Sequence, residues 1–172
     1  MTKRSSLSVV FSKMVGATAV AVMLTGVMMP TDALGAPIKN GNGATAENDG
    51  GIAIGDNTAS KGDYSISIGT NASVGRGDTD EGKTQSGIAI GQGATVTVDP
   101  NKGQDVDPDQ RTGGIAIGQG ATTKVVNAIA VGSGTSADGA QAVTIGHNSR
   151  STTNNSVALG NETRVASTNG FA

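Results

Sequence analysis

The chain has 172 residues, enough for one domain of ordinary size, but 27 of them are glycine, none is tryptophan and only 2% are aromatic. This composition argues against a thick globular core, because such a core needs large side chains to fill it. The absence of cysteine excludes disulfides, thiolate catalysis and cysteine metal sites, and a net charge of −2 gives no support for a nucleic-acid partner.

The first 35 residues are typical of a secretory signal peptide, with basic residues before an apolar run at 15–29 and small residues at the end. Cleavage after Gly35 fits best, and cleavage after Ala36 is the alternative. A transmembrane helix is the other interpretation of the run, which is short for a span of roughly twenty residues. We therefore expect an exported protein. After residue 35, 9 basic and 13 acidic residues remain, with no basic stripe.

From residue 51 onward, a five-residue core recurs seven times in the pattern small, aliphatic, small, aliphatic, glycine. The cores end at Gly55, Gly69, Gly91, Gly118, Gly132, Gly146 and Gly160. Their spacings of 14, 22, 27, 14, 14 and 14 indicate a 14-residue period with insertions near 75–86 and 99–113. A degenerate copy at 36–50 is expected to cap the array. Another copy begins at Gly170, so the sequence ends within a repeat.

Each core alternates with period two, which predicts a strand with one buried face. We expect the aliphatic residues to form the core and small residues such as Gly51 and Ala53 to face outward. The predicted core residues are Ile52, Ile54, Ile66, Ile68, Ile88, Ile90, Ile115, Ile117, Ile129, Val131, Val143, Ile145, Val157 and Leu159. After the glycine turn, a shorter second strand should follow. Stacked coils of two strands would form an all-β parallel β-roll, or β-solenoid.

The energetics of one coil favour association between copies of the chain. A coil offers about three aliphatic side chains worth roughly 1.5–3 kcal/mol each, while ordering costs about 1.5 kcal/mol per residue. A single thin roll is therefore marginal, and close packing through its small outward residues would stabilise it. We expect a homo-oligomer.

The segment Asn155-Ser156-Val157-Ala158-Leu159-Gly160 and its six counterparts resemble the head repeats of YadA-like trimeric autotransporter adhesins, which read small-Val/Ile-Ala-Ile-Gly with a 14-residue period. The resemblance covers residues 38–172. It implies a left-handed parallel β-roll in each chain of a homotrimer that binds host extracellular matrix proteins, such as collagen, or other cells. It also implies a place at the bacterial cell surface or outer membrane, without enzymatic activity or a cofactor. The family attaches through a C-terminal anchor that this chain lacks, so secretion is expected if the chain is naturally truncated.

Two segments are candidates for ligand binding. The first is the signature itself, residues Asn155, Ser156, Val157, Ala158, Leu159 and Gly160, although the two aliphatic members also have a structural explanation. The second is the tripeptide Arg76, Gly77 and Asp78 in the first insertion, which matches an integrin-binding sequence. A charged, glycine-rich loop also produces such a triplet by chance, and solvation alone explains its charges.

Metal and catalytic sites have weaker support. Asp105, Asp107 and Asp109 alternate in the second insertion as Ca²⁺ ligands can, but the glycine and closing glutamate of an EF-hand are missing. A solvated acidic loop is the favoured interpretation, and no metal site is predicted. The single histidine, His147, follows the Gly146 turn and is expected to be an exposed corner residue. Nothing in the repeat brings a nucleophile and a base together.

Two other protein classes share part of this pattern. Hexapeptide-repeat acyltransferases, which fold as left-handed β-helices, match Ile90-Gly91-Gln92-Gly93-Ala94-Thr95, but their coils need about 18 residues. A passive or ice-binding solenoid would require a regular threonine array, whereas the residues after each glycine vary. The 14-residue period and the export signal favour an adhesin head over both.

Overall fold

The computed structural model describes residues 37–47, 50–75, 86–97 and 113–172. The chain divides into two units, Met1–Leu34 and Gly35–Ala172, and every described residue belongs to the second. The predicted signal peptide lies outside the described residues. Within them, all regular secondary structure is β.

Each coil of the roll contributes one strand to sheet A and one shorter strand to sheet B. Neighbouring strands within each sheet are parallel. Sheet A contains β1 (Ile38–Asn40), β3 (Ile52–Ile54), β5 (Ile66–Ile68), β7 (Ile88–Ile90), β9 (Ile115–Ile117), β11 (Ile129–Val131), β13 (Val143–His147) and β15 (Val157–Asn161). Sheet B contains β2 (Thr45–Ala46), β4 (Ala59–Ser60), β6 (Ser73–Val74), β8 (Thr95–Val96), β10 (Thr122–Thr123), β12 (Ser136–Ala137), β14 (Arg150–Ser151) and β16 (Arg164–Val165). The predicted parallel β-solenoid is confirmed. Its two-strand coil differs from the three-hexapeptide coil of the acyltransferases.

The register follows the sequence period. Ile54 pairs with Ile68, 14 residues later. Ile68 pairs with Ile90 and Ile90 with Ile117, so the two insertions leave the stacking of the coils unchanged. Beyond the last strand, Phe171 pairs in parallel with Val157, the position that the repeat assigns to it.

The prediction that the aliphatic residues fill the roll was wrong, because the two faces of sheet A are reversed. The small residue between each aliphatic pair is fully buried, as at Ala53, Ala89 and Ala116. None of the 14 aliphatic residues is buried, and Leu159 is 43% exposed. These outward residues are Ile52, Ile54, Ile66, Ile68, Ile88, Ile90, Ile115, Ile117, Ile129, Val131, Val143, Ile145, Val157 and Leu159.

The reversal follows from the thinness of the roll. Sheets A and B are close enough for the Ser67 hydroxyl to donate a hydrogen bond of 2.8 Å to the Ala59 carbonyl oxygen across the interior. The fully buried side chains are alanine, serine, threonine and, on sheet B, the valines Val74 and Val96, and we expect an isoleucine on sheet A to overpack this space. Gly51 is buried as well, so it does not form the outward contact surface expected from the sequence.

A column of glycines allows the coils to stack where each strand of sheet A turns toward sheet B. The column contains Gly41, Gly55, Gly69, Gly91, Gly118, Gly132, Gly146 and Gly160, with φ between 121° and 144°. Residues other than glycine rarely adopt this backbone conformation. A Cβ atom on Gly132 would also overlap the carbonyl oxygen of Gly146 in the next coil. The close spacing of the coils therefore explains why every five-residue core ends in glycine.

Thr123→Val is expected to increase the stability of the roll. Its side chain is fully buried on β10 between Val96 and Ala137, and its hydroxyl oxygen has no hydrogen-bond partner. Because an unpaired buried hydroxyl costs about 1–3 kcal/mol, Thr123→Val should stabilise the roll by roughly 1 kcal/mol in thermal unfolding.

Thr135→Val is the matched control for that prediction. Thr135 is equally buried, but its hydroxyl donates a 2.9 Å hydrogen bond to the Gly132 carbonyl oxygen. Its replacement should lower stability by about 1 kcal/mol. Equal effects of the two substitutions would contradict the assignment of the unpaired hydroxyl.

Candidate functional site

The outward face of sheet A, which we call the ladder face, carries most of the exposed large hydrophobic side chains of the described residues. Its two columns begin at Ile38 and Asn40, and every later position in the described coils is isoleucine, valine or leucine. Because parallel strands lie about 4.8 Å apart, eight strands extend this face over roughly 34 Å. Side chains in the second column, such as Ile117 and Ile145, are 37% and 42% exposed. A continuous apolar surface of this kind is typical of a protein interface.

The candidate segment from Asn155 to Gly160 is divided between the interior, the ladder face and a corner. Ser156 and Ala158 are fully buried, and the Ser156 hydroxyl donates a 2.6 Å hydrogen bond to the Thr153 carbonyl oxygen. Val157 and Leu159 lie on the ladder face, and Gly160 ends the glycine column. Asn155 is exposed at the corner with φ of 54°, a conformation that asparagine tolerates. The segment is therefore a structural unit of one coil, and its role in ligand binding stays a prediction.

The residues predicted as insertions each lie between a strand of sheet B and the next strand of sheet A. The first begins after β6 and ends before β7, and the second begins after β8 and ends before β9. Since these strands are neighbours in their sheets, the four loop ends lie along one edge in adjacent coils. The tripeptide Arg76, Gly77 and Asp78 and the aspartates Asp105, Asp107 and Asp109 lie outside the described residues. Their proposed roles stay predictions.

His147 lies on the exposed corner at the end of sheet A, as the sequence predicted. Its Nδ1 is 3.0 Å from Oδ1 of Asn161 in the next coil. A similar contact joins Gln92 and Gln119 at the same corner, with 3.2 Å between the two side-chain amides. Polar side chains thus form short ladders along this edge. Within the described ranges, no three His, Asp or Glu side chains lie close enough to hold a metal ion.

The outward face of sheet B is polar, with small hydroxyl residues such as Thr95, Thr122 and Ser136 in most coils. Toward β16 this row changes to Arg150 and Arg164, which pair directly in the sheet. The mixed row differs from the regular threonine array of an ice-binding solenoid.

Lys124, Arg150 and Arg164 form what we call the basic patch. Asp138 lies under it, with its side chain 4% exposed, while the side chains of Lys124 and Arg150 are 44% and 46% exposed. Lys124 Nζ is 3.3 Å from Asp138 Oδ1, and Arg150 Nε and Nη2 are 2.9 and 2.5 Å from Asp138 Oδ2. One buried anion thus joins cations from two other coils, and the patch with its anion carries a net charge of +2.

Asp138 is held in its charged form. Burial raises the pKa of its carboxyl, but hydrogen bonds from Ser136 and Arg150 and the positive charges of Lys124 and Arg150 outweigh burial. The pKa of Asp138 therefore lies below its ordinary value.

Asp138→Asn is expected to destabilise the roll in a pH-dependent way. A lowered folded-state pKa means that the carboxylate contributes stability above the unfolded-state pKa, about 3.9, and that this contribution is lost as pH falls through the lower folded-state pKa. The variant should be less stable by roughly 1–3 kcal/mol at pH 7. Thermal unfolding curves of the two proteins should converge at strongly acidic pH.

Asp56→Asn serves as the control for this prediction. Asp56 Oδ1 accepts a 2.9 Å hydrogen bond from the exposed Asn42 backbone N–H, and an asparagine oxygen can replace it. Asp56→Asn should behave like the unchanged protein between pH 3 and 7. A stability difference for Asp138→Asn that does not vary with pH would show that its charge is not responsible.

The basic patch was missed by sequence reasoning, which found no basic stripe. Its members are separated by up to 40 residues in the chain, so no local charge run reveals them. The 14-residue period does indicate that they are neighbours, because Arg150 and Arg164 are 14 residues apart, and so are Lys124 and Asp138. Comparing charges at equal positions of successive repeats would have placed these residues together.

No helix within the described residues has the length and apolar character to cross a membrane.

Comparison with known families identifies the repeat. The family model for the YadA head domain repeat matches residues 40–58, 46–72, 112–135 and 137–163. These matches include the first described coils and the last ones, on both sides of the insertions. No curated protein matches the chain.

Proposed function

The chain carries a YadA-like head domain, and from this premise we propose that it is the binding head of an exported, homotrimeric adhesin at the bacterial cell surface. Its function is to hold a rigid surface toward host extracellular matrix proteins, with collagen-type proteins as the first candidates, or toward other cells. It acts by binding and needs no cofactor.

The observation that carries this proposal is the ladder face. The roll turns its small residues inward and its isoleucines outward, so a single copy leaves aliphatic side chains such as Ile54 and Ile117 more than one-third exposed. Burial of apolar surface contributes about 25 cal/mol per Å², and a thin roll has little other apolar area to bury. Association of three copies through their ladder faces would supply the core that each copy lacks.

The remaining surfaces are available for ligands in this arrangement. Sheet B and its outer face lie on the opposite side of the roll from the ladder face, since the buried residues lie between the sheets. The ends of the two predicted insertions are also separate from both columns of the ladder face. Binding distributed over these surfaces fits a head built from repeats.

The direct test is attachment to immobilised matrix proteins. The chain coupled to beads should bind to at least one of collagen, fibronectin and laminin, and soluble chain should compete with the beads. Beads carrying a folded variant that has lost self-association should bind less, because they lose multivalent contacts. A trimer that binds none of the three proteins would remove the matrix as its partner and leave the fold unaffected.

A further inference from the structure

We propose that the basic patch on sheet B binds a sulfated polysaccharide. The inference rests on the proposed function only in placing this surface outside the cell. The binding itself depends on the charges and hydrogen-bond donors of the roll.

The local charge at the patch is opposite to that of the chain. Lys124, Arg150 and Arg164 bring three positive charges to adjoining coils, and Asp138 supplies one negative charge that lies almost completely under them. The whole chain carries −2 and the part after residue 35 carries −4. Glu162, the closest acidic residue to Arg164 in the chain, lies at the corner before β16. An anionic partner would therefore be attracted to one surface of an otherwise acidic protein.

Asp138 also orients the patch. It holds Arg150 through two guanidinium nitrogens, while almost half of the arginine side chain stays exposed. The Thr122 hydroxyl donates to Ser136 at 3.1 Å, and Ser136 donates to Asp138 at 2.8 Å, so the hydroxyl groups beside the patch are held in place too. Guanidinium groups bind oxyanions through paired hydrogen bonds, and a fixed guanidinium loses less side-chain entropy on binding.

The shape and chemistry of this face favour a sulfated sugar over other polyanions. The described aromatic residues, Tyr64 and Phe171, lie outside sheet B, so the face offers no stacking surface for nucleic-acid bases. A peptide strand would pair along the free edge of β16, the end strand of sheet B, and not across the face that carries the basic patch. The outward residues of that face, such as Ser136, Arg150 and Arg164, are polar and form no apolar pocket. A sulfated polysaccharide needs only spaced charges and hydroxyl partners, which a flat row with a rise of about 4.8 Å provides.

Heparin is the probe for this proposal. The chain should be retained on immobilised heparin at low salt and should elute as salt is raised, because exposed charges are screened. Arg164→Gln and Lys124→Gln should each weaken heparin binding in solution by roughly two- to five-fold. Lys39→Gln is the matched control, since Lys39 is exposed on β1 of sheet A, in the first described coil and far along the roll from β14 and β16, and its replacement removes the same charge.

The competitors decide the class of partner. Unsulfated hyaluronan, a polyglutamate peptide and a DNA oligonucleotide should each bind more weakly than heparin at equal salt. Failure of heparin to bind, equal binding by polyglutamate or DNA, or an equal effect of Lys39→Gln and Arg164→Gln would overturn the proposal. Solution mass measured on the same samples keeps this result separate from the proposed head function, because the patch variants should remain trimeric.

Discussion

Gly132→Ala is expected to unfold the coils around it, because two effects add at this position. A non-glycine residue at φ of 125° is strained, which alone costs about 1–3 kcal/mol. The new Cβ would also overlap the Gly146 carbonyl oxygen, which is backbone and cannot move without separating the coils. We expect a loss of at least about 3–5 kcal/mol, seen as a large fall in the midpoint of thermal unfolding by circular dichroism.

Gly160→Ala tests the effect of backbone strain without a clash between successive coils. Gly160 has φ of 128°, but a Cβ there would meet only the Thr163 Cγ2 atom, at 3.3 Å. Its replacement should therefore cost only the strain, about 1–3 kcal/mol. If both variants lost the same stability, the close approach of successive glycines would not be the reason for the glycine column.

Ile90→Asp is expected to separate the proposed trimer into single chains. Ile90 lies at the centre of the ladder face, between Ile68 and Ile117, and points away from the interior. A carboxylate buried in an apolar interface without a partner costs several kcal/mol, and each interface of the assembly would contain one. Because the side chain is outside the roll, the strand content of each chain should be kept. Sedimentation equilibrium measures the mass and circular dichroism measures the fold.

Thr95→Asp adds the same charge to the same coil on the other side. Thr95 is the outward residue of β8 in sheet B, where its hydroxyl donates to the Gly93 carbonyl oxygen at 3.2 Å. This variant should keep the oligomer mass of the unchanged chain. Dissociation by Thr95→Asp, with Ile90→Asp still associated, would place the interface on sheet B.

The coil, its period and its register could be predicted because they depend on spacing alone. Glycines 14 residues apart identified the coils, and the pairing of Ile54 with Ile68 followed from that spacing. The same five-residue core resumes at Ile88 and Ile115, and both strands pair in register with the coil before them.

The rule that apolar residues lie inside did not predict which face of the sheet A strands is buried. Period-two alternation separates Ile52 from Ala53 but does not say which one faces inward. The distance between the sheets decides it, and the largest side chains that are fully buried between them in the described residues are the valines Val74 and Val96. The rule holds for a core that one chain completes. Here the aliphatic residues face outward, and we propose that other copies of the chain cover them.

The sequence indicated one candidate segment for ligand binding but not the basic patch. The segment from Asn155 to Gly160 was identified as the nearest match to the family signature, yet two of its residues are fully buried and serve the coil. The basic patch was not predicted, because Lys124, Arg150 and Arg164 meet only through stacking of the coils. In a repeat protein, residues at equal positions of successive coils lie side by side, and a scan along the chain does not reveal that they form one surface.

The mass of the purified chain in solution tests the central claim, that copies of the same chain cover the ladder face. Sedimentation equilibrium over a range of concentrations should give three times the mass of one chain, together with a spectrum rich in strand. A stable single chain with the same strand content and an exposed ladder face would contradict the account.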